Sequence, residues 1–151
     1  MLKNFCLFII LCLILACQSK DTRHPIEGTW KLLNGTVVNG TDTTYTDYTI
    51  GQEMIKMLNG THFSFLRHDL TNGKDSTAIF SAGGGTYSIE GNTYTENLAY
   101  FNVREWENNS FNFEYTINGD TLTIKGIEDV PEAGVNHLNI EKYLRVKTPI
   151  K

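Results

Sequence analysis

Apolar residues recur at every second position through most of the chain. Tyr87 and Ile89 lead into Glu90-Gly91-Asn92, and residues 93–100 lead out with strict alternation, so residues 83–101 read as a complete β-hairpin. The same pattern continues on both sides. Residues 28–33 put Trp30 and Leu32 on one face, and residues 44–50 are rich in β-branched and aromatic types. Residues 61–67 put Phe63, Phe65 and Arg67 on one face and His62, Ser64 and Leu66 on the other. Residues 110–117 and 121–125 flank the turn Asn118-Gly119-Asp120, and residues 137–146 close the series. The segment 53–58 has helix-favouring methionine and leucine, but Asn59-Gly60 follows it, and that hairpin signal makes it a strand. Residues 68–78 and 128–136 are polar, lack periodicity and read as long loops; residues 103–109 are a connection carrying Trp106. Eight or nine strands in sequence order, joined by short turns with no helix between them, predict an all-β fold, an antiparallel up-and-down β-barrel of 8–10 strands.

The first residues break this pattern. Residues 5–16 form one continuous apolar run behind Lys3. As a helix it would cover about 18 Å against roughly 30 Å of hydrocarbon, so it reads as a cleaved export signal and not a span. Ile14-Leu15-Ala16-Cys17 resembles the lipobox of bacterial lipoproteins, in which the signal is cut before the cysteine and the thiol is acylated. An ordinary signal peptide with an incidental cysteine is the alternative. Cys6 and Cys12 lie inside the removed segment, so a lipidated Cys17 leaves the folded domain without a thiol, dependent on core packing alone. The expected organisation is a signal peptide over 1–16, a lipidated cysteine and tether over 17–25, and a barrel domain over 26–151. The resemblance implies a bacterial envelope membrane reached through the lipid at Cys17. Gln18, in place of the aspartate that retains such proteins at the inner membrane, points to the outer one.

Composition narrows the partners. A net charge of −4 and a pI near 5.5 leave no basic face for nucleic acid. Gly83-Gly84-Gly85 lacks the Lys-Ser/Thr of a phosphate loop and leads into strand, which makes it a bend or bulge. His62, His68 and His137 come without metal-binding spacings, and no nucleophile elbow or triad order is present, so neither a metal, a cofactor nor a catalytic residue is expected.

Gly28-Thr29-Trp30 in the first strand, with Arg145 in the last, resembles the Gly-x-Trp signature of lipocalins and the arginine that family sets against its tryptophan. The resemblance implies that Gly28, Trp30 and Arg145 form a clasp where the barrel closes, with a guanidinium stacked on indole worth roughly 0.5–2 kcal/mol. With the lipobox and the closing residues 141–146, the chain is similar to lipocalin-like lipoproteins of Bacteroidetes-type bacteria. Thr46-Asp47-Tyr48 spells a second lipocalin motif but lies too near Trp30 to serve as it.

The alternation places Glu96 on one face with Tyr94, Leu98 and Tyr100. An inward carboxylate needs a partner or a polar cavity. The candidate cavity residues are therefore His62, Arg67, Tyr94, Glu96, Tyr100, Phe113, Tyr115, Glu141 and Tyr143. The function expected is binding of a small apolar or amphipathic ligand inside the barrel. The alternative is a filled barrel whose outer surface or loops 68–78 and 128–136 bind a protein or glycan.

Overall fold

The computed structural model describes residues 23–147. Nine strands follow in order: β1 (Gly28–Asn39), β2 (Asp42–Asp47), β3 (Gln52–Leu58), β4 (His62–Asp69), β5 (Phe80–Glu90), β6 (Thr93–Phe101), β7 (Asn109–Asn118), β8 (Thr121–Val130) and β9 (Val135–Arg145). Each pairs antiparallel with its neighbour, and β1 also pairs β9, so the sheet closes into a barrel. Eight strands make the ring. β2 is additional: β9 occupies one edge of β1, while β3 and β2 share the other, β3 against Gly28–Lys31 and β2 against Asn34–Asn39. The architecture is compatible with a lipocalin-like fold.

Strand direction gives the barrel two unlike ends. One is closed by short turns, with Gly91 and Gly119 both at φ near +60°, the conformation hairpin turns demand and glycine adopts without a Cβ penalty. Ile26, Trp30, Leu58, Tyr94, Leu122, Ile124 and Tyr143 fill this end as a buried core. Trp30 pairs with Arg145 in register, and the guanidinium carbon lies 4.0 Å from the indole centre. Arg145 also donates to the carbonyls of Pro25 and Glu27, and the indole N–H donates to Ile26. A Cβ on Gly28 would come within 3.0 Å of that guanidinium, so the glycine makes room for it.

The other end is an open mouth, rimmed by residues 48–51, 70–79, 102–108 and 131–134. Both long loops are shorter than the sequence suggested. β4 continues to Asp69, whose carboxylate accepts hydrogen bonds from the amides of Thr71, Gly73 and Ile79 and from the Thr71 hydroxyl. β8 continues to Val130, because Glu128 and Val130 extend the inward alternation of Ile124 and pair across β9 with His137 and Val135. Pro131 then starts a single 3₁₀ turn.

Candidate functional site

Between the packed floor and the mouth lies a cavity of about 490 Å³. Its inward positions follow from the period of two on each strand. Phe65, Phe101, Trp106 and Phe111 form an aromatic wall, each ring 5.3–6.1 Å from the next, and Val37, Met54, Leu98 and Phe113 add to the apolar lining. Polar groups converge on the same space: Tyr48, Lys56, Arg67, Glu96, Glu128, Asn139 and Glu141.

The deepest of these form one network. Lys56 and Glu96 are 4% and 6% exposed, and their nitrogen and oxygen are 2.6 Å apart. The same oxygen accepts the Tyr94 hydroxyl at 2.6 Å, and Glu141, 3.9 Å from Lys56, accepts the Tyr143 hydroxyl. Burial alone would push the Lys56 pKa down, yet Glu96 and Glu141 together hold it above the ordinary lysine value. Burial and the adjacent carboxylates push both tyrosines well above the usual range, so both remain donors. With every partner present, this plate of charge separates the packed floor from the cavity without an orphaned buried side-chain polar atom among the described residues.

Nearer the mouth, Glu128 accepts from Asn139 and lies 3.0 Å from the His137 Nε2. Burial and the neighbouring Glu141 raise its pKa, against the opposing pull of His137 and Asn139. Across the barrel, Arg67 gives its Nε–H to Gln52 and stacks 5.0 Å from the centre of the Tyr48 ring. Burial raises the Tyr48 pKa despite that cation.

The nine residues proposed from sequence fall into four places. Arg67, Glu96, Phe113 and Glu141 line the cavity. Tyr94 and Tyr143 lie beneath it, where their hydroxyls fix the two carboxylates. Tyr115 sits further toward the closed end, its ring against His24 and its hydroxyl on the Gly91 carbonyl, because each inward step along β7 past Phe113 descends into the floor. His62 and Tyr100 point outward. His62 is one residue from the inward Phe63, and period two sends it to the surface. Tyr100 is 72% exposed because the β5–β6 register slips between Gly84 and Gly85: Leu98 and Tyr100 pair with consecutive glycines, Ala99 is the extra residue, and the inward role passes to Phe101. A Cβ on Gly85 would come 1.9 Å from the Asn97 carbonyl, so only glycine admits this bulge.

Sequence reasoning missed Lys56, Tyr48, Glu128, Asn139 and Trp106. Lys56 carried a readable signal, alternating with Met54 and Leu58 on one face. Among the described residues no cluster of His, Cys, Asp or Glu could hold a metal ion. No protein-family model matches this sequence, and neither does any curated protein.

Proposed function

We propose that the barrel binds a small, partly apolar molecule in its cavity and acts as a carrier, scavenger or sensor. The observation that carries this reading is the cavity itself: about 490 Å³, lined by aromatic side chains and by a few oriented polar groups, falls in the range of small-molecule sites. A filled barrel acting only through its surface would have no use for that space. On the lipobox resemblance of residues 14–17, the protein is a lipid-anchored lipoprotein of the bacterial cell envelope, held at the outer membrane. The chain enters the barrel at its closed end, where Arg145 holds Pro25 and Glu27. The stretch from Gln18 to Pro25, reaching about 26 Å when extended, then leaves the mouth facing away from the bilayer.

Titration with N-phenyl-1-naphthylamine tests the cavity reading. The expected result is saturable fluorescence enhancement in the wild type and its loss in Val37→Trp, which fills the lining beside the mouth, with the circular dichroism spectrum unchanged. Equal enhancement by both proteins would contradict binding inside the barrel.

A further inference from the structure

We infer that the ligand carries a single carboxylate, and that Arg67 receives it. This rests on the cavity-binding reading above and names the chemistry of the head group. The argument begins from how each charge facing the cavity is already satisfied. Lys56 is paired with Glu96, and Glu141 takes the Tyr143 hydroxyl beside the same lysine. Glu128 is held by His137 and Asn139. Arg67 differs: its one hydrogen bond goes from Nε to the neutral Gln52, and among the described residues its terminal nitrogens have no partner and its charge has no carboxylate.

An arginine inside a barrel that holds three carboxylates would ordinarily be expected to pair with one of them. Here each of the three already has another partner: Glu96 and Glu141 are turned to Lys56, and Glu128, on β8 opposite β4, is held by His137 and Asn139. The guanidinium is also oriented in advance. Gln52 fixes the Nε side and the Tyr48 ring supports its face, which leaves the fork of terminal N–H donors for a planar, two-oxygen acceptor. A carboxylate matches that fork with one negative charge. A phosphate dianion would set a second charge against Glu96, Glu128 and Glu141 in the same space. The aromatic wall of Phe65, Phe101, Trp106 and Phe111 takes the apolar body.

Trp106 lines the cavity while Trp30, the other tryptophan, is buried in the floor, so tryptophan emission reports occupancy. The full chain in nanodiscs, with empty nanodiscs subtracted, is titrated with decanoate, decyl phosphate, decan-1-ol and decyltrimethylammonium at neutral pH. Decanoate is expected to bind at least about tenfold more tightly than the other three. Arg67→Gln is expected to reduce decanoate to the level of decan-1-ol and leave decan-1-ol unchanged, and Arg67→Lys to fall between, keeping the charge without the fork. Should Arg67→Gln fail to fold, the ranking of the four probes on the wild type and the Arg67→Lys result decide. Tighter binding of the ammonium or the phosphate, or equal binding of all four, overturns the carboxylate inference and keeps the cavity reading. Binding of none of them overturns both.

Discussion

At the scale of single residues, Lys56 is the position on which the interior depends most. It is buried, touches Glu96 directly and Glu141 more distantly, and lies within 6 Å of the Phe63, Tyr94 and Tyr143 rings. Removing one member of a buried ion pair leaves the other charged in a low-dielectric setting, at a cost of about 3–5 kcal/mol. Lys56→Met should destabilise the barrel by that order in urea melts. The double variant Lys56→Met/Glu96→Leu should recover part of the loss, since it removes the stranded Glu96 carboxylate but leaves the buried Tyr94 hydroxyl without its acceptor and Glu141 without its cation. A Lys56→Met variant as stable as the wild type would show that the pair contributes nothing. The lysine was legible in the sequence only as an oddity, a cation in phase with Met54 and Leu58. What hid its role was distance, because Glu96 is forty residues away and only closure of the ring brings them together.

At the scale of elements, alternation identified the strands but not where their phase breaks. Gly83-Gly84-Gly85 signalled a bulge, yet the extra residue falls on the facing strand at Ala99, so Tyr100 turns out and Phe101 turns in. A bulge depends on two strands at once, and one strand's alternation does not record it. Loop ends were obscured in a similar way. Acidic Glu128 and Asp129 before Pro131 look like solvated loop, but the inward position opposite His137 gives Glu128 partners and extends β8. Asp69 plays the corresponding part at the other side of the mouth. The Gly73 amide, the Thr71 hydroxyl and the Ile79 amide hold its carboxyl well below the usual carboxylate range. A folded pKa below the unfolded one contributes order that is fully present above about pH 4 and is lost as pH falls through the folded value. Hydrogen exchange at the Gly73 and Ile79 amides, corrected for intrinsic rates, should therefore stay flat from about pH 8 to about pH 5. Asp69→Asn should raise it across that window. Unchanged exchange in Asp69→Asn would mean that the carboxylate does not organise residues 70–79.

At the scale of the whole molecule, an all-β barrel was readable because short turns and period-two faces leave few other ways to bury one side of each strand. The cavity was not readable. Whether a barrel is hollow depends on how far its inward side chains reach across the ring, a property of the closed structure that no local stretch carries. The packed floor, the charged plate at Lys56 and the aromatic wall divide the interior into a part that holds the fold and a part left open to a ligand. Native mass spectrometry of the chain purified from a bacterial host tests that division most directly. A co-purifying small molecule, released on denaturation and absent from Val37→Trp, is the result expected if the cavity is a binding site. A ligand-free mass from every preparation, together with no response to any cavity probe, would contradict it.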